Sequence, residues 1–116
     1  MDDFVTAKDI IKYGKKRIEN KDVYGIEELY ANMKTGSIKE YQLNYAHIYK
    51  HLFLHACLKN NSNVIIFLTK AYFNLSLCDK LALRQTVFYG KYLIPKKNKE
   101  TIAWYNDCVI PIFRNI

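Results

Sequence analysis

One segment of the chain predicts a helix that is apolar on almost every side, and this feature constrains the fold most. At about 100° per residue, the apolar side chains of residues 41–57 cover most of the helical wheel. A narrow polar arc interrupts them, formed by Glu40, Asn44, His47, His51 and His55. A helix that is apolar nearly all round is a buried helix. The segment therefore predicts a central helix that is packed on at least two sides.

Start and stop signals predict about six helices in the chain. Ser37 and Glu40 have the three-residue spacing of a capping box, in which each side chain caps the other residue's backbone. The six predicted starts are Thr6, Asp22, Ser37, Ser62, Ser76 and Asn98. The predicted ends are near Gly36, Leu58, Phe73 and Leu93, and Pro111 is expected to kink or end the last helix early.

These helices predict an all-α fold without a sheet. No segment alternates apolar and polar residues long enough to indicate a strand. The chain has 116 residues, and no linker is long enough to divide it. The sequence therefore predicts a single helical domain over residues 1–116, a compact bundle of about six helices.

The cysteines and the chain start predict an intracellular protein. Cys57, Cys78 and Cys108 form no C-x-x-C pair and lie among apolar neighbours, so they are predicted to be buried, reduced thiols. The first residues are acidic and carry no apolar stretch of the kind that a secretory signal needs. No apolar run approaches the length of a membrane span. We expect a cytoplasmic protein without a membrane partner, with the nucleus as an alternative.

The charge of the chain leaves two kinds of partner open. The net charge is +7, from 18 basic and 11 acidic residues, which suits nucleic acid, an acidic protein or simple solubility. Two short basic clusters stand out, Lys15, Lys16 and Arg17, and Lys96, Lys97 and Lys99. They are candidates for a basic patch, and solvated helix ends or loops are the alternative interpretation.

The three histidines of the polar arc are candidate ligands and candidate partner contacts. His47 and His51, at i and i+4, could hold zinc or nickel from one helix face. His55 lies about 12 Å from His47, so one ion cannot bind all three. No further ligand is evident, and neither a metal nor a cofactor is predicted. The favoured interpretation is a polar stripe that faces solvent or a groove.

Catalytic motifs are absent, and the candidate functional residues are those of a binding protein. The sequence has no P-loop, no G-x-G-x-x-G and no G-x-S-x-G, so an enzyme is not predicted. In addition to the histidine arc, Trp104 and Tyr105 near the C-terminus are candidate anchors for a partner, because large aromatic residues dominate interface energetics. For Trp104, a place in the core is the favoured alternative.

Part of the chain resembles a known viral family. Leu54-His55 followed by Asn61 and then Ile65, Ile66 and Leu68 is similar to the core of an ankyrin repeat, with Asn61 at the usual glycine position. No second copy of this unit is evident. The segment Phe73–Gln85, with Tyr89-Gly90-Lys91-Tyr92 after it, resembles the degenerate ankyrin-like proteins of the African swine fever virus multigene families. The match spans about Leu54–Tyr92.

The resemblance implies a non-enzymatic viral accessory protein. Such a protein would bind a host protein in the host cytoplasm and affect host range or interferon signalling. Two alternatives stay open, a basic helical nucleic-acid-binding protein and a self-associating structural protein. For the latter, a homodimer could form through apolar residues near the C-terminus, which are Val109, Ile110, Ile112, Phe113 and Ile116.

Overall fold

The computed structural model describes residues 6–34 and 45–114, and these form helices without any strand. The helices are α1 Ala7–Glu19, α2 Val23–Lys34, α3 Tyr45–Leu58, α4 Ser62–Tyr72 and α5 Leu77–Gly90. A last helical segment comprises α6 Lys99–Trp104, a π-helical turn Tyr105–Val109 and α7 Ile110–Arg114. The predicted all-α fold of about six helices is confirmed.

The helices form three hairpins that stack in two layers. These are α1 with α2, α3 with α4, and α5 with the last helical segment. The first layer contains α1, α3 and α5, with α3 packed against both of the others. In the second layer α2 contacts α4, and the Tyr72 ring of α4 lies 4.2 Å from the Phe113 ring of α7. The buried side chains of α3 are Ile48, Tyr49, Leu52, Phe53, Ala56 and Cys57. The predicted central helix is therefore confirmed.

The first hairpin turns through a left-handed residue that is not glycine. At the end of α1, the Asp22 amide donates to the Arg17 carbonyl at 2.9 Å, and the Lys21 amide donates to the Ile18 carbonyl at 3.1 Å. This is the hydrogen-bond pair of a Schellman motif. Lys21 has a φ of 57°. The Asp22 carboxylate then accepts the Gly25 amide at 2.9 Å and caps α2.

The second hairpin repeats this turn. The Asn61 amide donates to the Ala56 carbonyl at 2.9 Å, and the Asn60 amide donates to the Cys57 carbonyl at 3.1 Å. Asn60 has a φ of 55°, so the left-handed residue is Asn60, whereas the glycine-like position was predicted at Asn61. The Asn61 side chain instead caps α4. The prediction that Ser62 caps this helix was wrong by one residue.

The two hairpins are copies of one burial pattern. The left-handed residues Lys21 and Asn60 are 39 positions apart (60 minus 21). At the same shift, Ile26 corresponds to Ile65 and Leu29 to Leu68. Further pairs that are buried in both hairpins are Ile10 and Tyr49, Gly14 and Phe53, Ile18 and Cys57, and Met33 and Tyr72. The second copy is not evident from the sequence, because most of the paired residues differ.

The left-handed lysine gives a first testable prediction. Lys21→Gly should raise the free energy of unfolding by about 0.5 kcal/mol, since glycine removes the Cβ strain of about 1–2 kcal/mol but gains entropy in the unfolded chain. Urea denaturation measures the change. The matched control is Lys12→Gly within α1, which should lower stability by about 1 kcal/mol. A loss of stability in Lys21→Gly would contradict the assigned turn.

Several predicted helix ends need correction or lie outside the described residues. Thr6 and Ser76 cap α1 and α5 as predicted. Helix α5 ends at Gly90 rather than at Leu93, because the Leu93 amide donates to the Gly90 carbonyl in a turn. The predicted capping box of Ser37 and Glu40 and the end at Gly36 fall outside the described residues.

Pro111 does not end the last helical segment, which continues to Arg114. Within a regular α-helix, the proline ring collides with the carbonyl four residues earlier and removes one hydrogen bond. The π-helical turn Tyr105–Val109 lies directly before this position and widens the helix. The prediction of an early end was wrong, and the irregularity takes the form of a π-helical turn. Asn98 precedes α6 as predicted but makes no side-chain capping bond.

Candidate binding surfaces

An exposed apolar face runs along α5, at the end of the first layer. Leu77, Leu81 and Tyr89 are each more than half exposed, and they lie within about 120° of the helical wheel. Cys78 lies in the same arc and Ala82 at its edge, and both are also exposed, as is the polar residue Gln85 within the arc. We call Leu77, Cys78, Leu81, Ala82 and Tyr89 the α5 face. The opposite side of the helix contacts α3 through the buried residues Leu83, Thr86, Val87 and Gly90.

Two aromatic residues beyond the ends of α5 add to this apolar surface. Phe73 lies before the helix, with its ring 6.3 Å from the Tyr72 ring. The Tyr72 hydroxyl donates to the Lys80 carbonyl at 3.2 Å, which places Phe73 near the first turn of α5. Tyr92 follows the helix and is 74% exposed. Exposed aromatic residues therefore flank both ends of the helix.

A basic surface forms where α1 and α3 lie side by side. The His55 Nε2 is 2.7 Å from a Glu19 carboxylate oxygen, which fixes the register of the two helices. Lys8, Lys12 and Lys15 lie within about 40° of Glu19 on the α1 wheel. His47, Lys50 and His51 lie on the exposed side of α3. We call these six residues, Lys8, Lys12, Lys15, His47, Lys50 and His51, the α1–α3 basic surface.

The electrostatics of this surface are most evident at His51. Partial burial lowers the pKa of His51, and the neighbouring charges of His47, Lys15 and Lys50 lower it further. The rings of His47 and His51 have centroids 4.5 Å apart in an edge-to-face arrangement. The lowered pKa means that His51 takes up a proton at a lower pH than an isolated histidine does. The structure brings Lys15 of the first predicted basic cluster to the predicted histidine arc.

Within the described part of the chain, the histidines are not grouped with further metal-ligating side chains. Among residues 6–34 and 45–114, no three histidine, cysteine, aspartate or glutamate residues are grouped to hold a metal ion. His55 turns to Glu19, while His47 and His51 pair with each other. The arc thus divides into an ion-pairing histidine and a pair within the basic surface.

The remaining predicted basic residues do not join this surface as one patch. Arg17 is engaged, with its guanidinium 3.4 Å from the Asp22 carboxylate and 5.2 Å from the Tyr13 ring centre. Lys16 is exposed on α1. The second cluster, Lys96, Lys97 and Lys99, is exposed around the start of α6.

Tyr105 is a core residue, and its predicted role as a partner anchor is wrong. Its side chain is fully buried, and its hydroxyl donates to the Val87 carbonyl. Burial raises the pKa of Tyr105 above its ordinary value. Trp104 is half-buried against the core, at a shallow depression that Ile66 and Thr101 also line. Part of the Trp104 side chain is exposed, and the other part packs against the core, as the favoured interpretation predicts.

The predicted C-terminal interface is also largely core. Val109, Ile110 and Phe113 are buried within the protein, and Ile112 is half-buried against them. Ile116 lies outside the described residues. The described apolar residues of this segment, Val109, Ile110, Ile112 and Phe113, therefore leave little exposed surface for self-association.

The cysteines lie in two environments. Cys57 is buried, and burial raises the pKa of its thiol to about 12, so it carries no thiolate at neutral pH. Cys78 and Cys108 are exposed, which corrects the prediction that all three are buried. His55, two residues before Cys57, is held by Glu19, so these two residues do not form a nucleophile and its base.

An apolar groove of about 580 Å³ lies between α2, α4 and the start of α5. Its wall includes Tyr30, whose ring lies 5.7 Å from the Tyr45 ring and 5.6 Å from the Phe67 ring. Glu27 and Asp79 also line the groove. Burial raises the pKa of Tyr45 to about 12, and the Asp79 charge adds to this effect. Met33 of α2 and Tyr45 of α3 also line the groove.

Comparisons with known proteins identify no relative. No protein-family model, no curated protein and no solved structure matches this chain. Within the described part of the chain, the helices are too short or too polar to cross a membrane.

Proposed function

We propose that the chain is a protein-binding module of stacked helical hairpins, and that it binds its partner through the α5 face. The observation that carries the proposal is the exposed apolar arc of Leu77, Leu81 and Tyr89 at the open end of the first layer. A further helix could pack there as α3 packs on the other side of α5. In arrays of helical hairpins each hairpin packs on its neighbour, and a terminal hairpin normally has a polar outer face, so an apolar face at the end of the stack suggests that a further element packs there.

The size of the apolar surface supports this proposal. At about 200 Å² for a whole aromatic side chain, the exposed fractions of Phe73, Tyr89 and Tyr92 (58%, 60% and 74%) correspond to roughly 400 Å². Leu77 and Leu81 add to this area. Apolar patches of about 300–600 Å² are the largest on typical monomers and are often functional. An exposed apolar surface of this extent favours a binding role.

The resemblance of residues 54–92 to the African swine fever virus families suggests the setting. The α5 face lies within these residues, and the resemblance implies a host protein as the partner. On this basis we propose a non-enzymatic viral accessory protein that acts in the host cytoplasm through a host signalling protein. The stacked helical hairpins are compatible with such a role.

The proposal predicts that a double substitution on the α5 face releases the partner. Leu77→Ser with Leu81→Ser should weaken partner binding about tenfold or more, since each truncated interface leucine removes about 1 kcal/mol or more. The measurement is quantitative affinity capture from host cells with the wild-type and variant proteins. The matched control is Tyr24→Ser, which removes an exposed aromatic residue from α2. The proposal would be contradicted if the double variant captured the same host proteins, in the same amounts, as Tyr24→Ser and the wild type.

Self-association through the same face is the competing interpretation. Sedimentation equilibrium of the wild-type protein decides between the two, and we expect a monomer. A wild-type dimer that the double variant abolishes would assign the α5 face to a second copy of the chain. That result would contradict partner binding through the free face.

A further inference from the structure

We propose that the α1–α3 basic surface is a second binding site, which holds the phosphate backbone of a nucleic-acid duplex and binds it more tightly as the pH falls. This site is separate from the α5 face, and the proposal does not depend on the protein-binding role. It assigns a ligand to the charged residues of the α1–α3 basic surface, which are not part of the hydrophobic core.

The basic residues of this surface form two rows on neighbouring helices. Lys8, Lys12 and Lys15 extend about 10 Å along α1, and His47, Lys50 and His51 lie along α3. Packed helix axes are about 8–10 Å apart. This separation falls between the widths of the two grooves of a DNA duplex, about 6 Å and about 12 Å. Flexible lysine side chains can therefore reach phosphates on both strands.

The character of the surface favours a duplex over other anions. Its six members are charged or titratable, and none is a phenylalanine, tyrosine or tryptophan. Its two aromatic rings, those of His47 and His51, pack edge to face on each other. No large apolar anchor of the kind that protein interfaces use is among them. Binding by charge alone suits the phosphate backbone, for which electrostatics supplies nearly all of the non-specific affinity.

The histidines make the surface sensitive to pH. The charged groups that act on His51 are Lys15 from α1, and His47 and Lys50 from α3 itself. Among the described residues, Glu19 of α1 lies beside this side of α3, and it pairs with His55. A phosphate near His51 would offset the repulsion from these neighbours. Binding should therefore take up protons, and acid should strengthen it.

The test measures the binding of the full chain to a labelled DNA duplex of about 20 base pairs (two helical turns) by fluorescence anisotropy. With four lysines contacting phosphates, affinity near pH 7.5 should fall about 100-fold between about 50 mM and about 200 mM salt. For the variant Lys8→Gln, Lys12→Gln, Lys15→Gln, the fall should be only about fourfold. Circular dichroism confirms that this variant folds.

A second triple variant separates the site from net charge. Lys96→Gln, Lys97→Gln, Lys99→Gln removes the same charge from the other basic cluster, and it should keep nearly the full salt dependence. Equal weakening of both triple variants would overturn the proposal, because net charge alone would then explain binding. Absence of wild-type binding at about 50 mM salt would also overturn it.

The pH dependence and the choice of ligand complete the test. Between about pH 7.5 and about pH 5.5, wild-type binding should tighten, and His47→Gln with His51→Gln should lose most of this gain. Equal tightening in this double variant would contradict the role of the histidines. Poly-L-glutamate should compete weakly at equal concentration of charge. If it competes as well as unlabelled duplex, the surface binds acidic chains in general and the proposal fails.

Discussion

Replacing Phe53 with alanine should lower the free energy of unfolding by about 3–5 kcal/mol. Phe53 is fully buried in α3, and its ring contacts the rings of Tyr49, Tyr105 and Phe113 at centroid distances of 5.9, 6.4 and 6.2 Å. It therefore joins the second hairpin to the third. The loss includes both the transfer of the removed atoms and the cavity that they leave.

The measurement is urea denaturation followed by circular dichroism, with Phe73→Ala as the matched control. Phe73 is exposed, so its loss should change stability by less than about 0.5 kcal/mol. A domain of this size has a total stability of about 5–15 kcal/mol, so Phe53→Ala should sharply lower the midpoint of unfolding. Similar losses in the two variants would contradict the assigned core.

The second large effect on stability is expected at Asn61, whose side chain forms a hydrogen bond between the turns of the first and second hairpins. The side-chain nitrogen Nδ2 of Asn61 donates to the Ile18 carbonyl at 3.0 Å, and the side-chain oxygen Oδ1 accepts the Val64 amide at 3.2 Å. Asn61→Ala should cost about 1.5–2.5 kcal/mol, because it removes a helix cap worth about 1 kcal/mol and a hydrogen bond worth about 0.5–1.5 kcal/mol, while the Ile18 carbonyl keeps its bond from the Lys21 amide.

Asn61→Asp separates the two contributions. Aspartate is an equally good capping residue, but its carboxylate has no proton to donate to the Ile18 carbonyl. We expect this variant to lie between wild type and Asn61→Ala in thermal denaturation. If Asn61→Asp is as stable as wild type, the bond between the two turns contributes nothing. If it is as unstable as Asn61→Ala, the cap contributes nothing.

Local signals in the sequence predicted much of the helical architecture. Thr6 and Ser76 start helices because their side chains bond to backbone amides three residues away, and such contacts depend on nearby residues alone. The central position of α3 follows from a pattern that leaves no wide polar side to face water. These features need no knowledge of the other helices.

The stacking of the hairpins depends on contacts that the sequence pattern does not show. Gly14 and Phe53 occupy corresponding positions, although one has no side chain and the other a large ring. A Cβ at Gly14 would lie 2.5 Å from a methyl group of Leu52, so glycine allows α1 to approach α3 closely. The repeat is therefore conserved in burial and turn geometry while its residues differ.

The candidate surfaces were only partly predictable for the same reason. Apolar residues occur on both sides of α5, and the sequence does not reveal which side α3 covers. Tyr105 and Cys78 both lie next to apolar residues, yet the first is buried and the second is exposed. The histidine arc was evident in the sequence, whereas its union with Lys15 needed the packing of α1 on α3.

The three cysteines allow the most direct test of the proposed α5 docking face. Cys78 lies within that face, Cys108 is exposed on the π-helical turn, and Cys57 is buried. In the free protein, iodoacetamide should alkylate Cys78 and Cys108 quickly and Cys57 only after unfolding. In the complex captured from host cells, mass spectrometry should find Cys78 protected while Cys108 reacts at its free rate. Equal alkylation of Cys78 in the free and partner-bound protein would contradict binding through the α5 face.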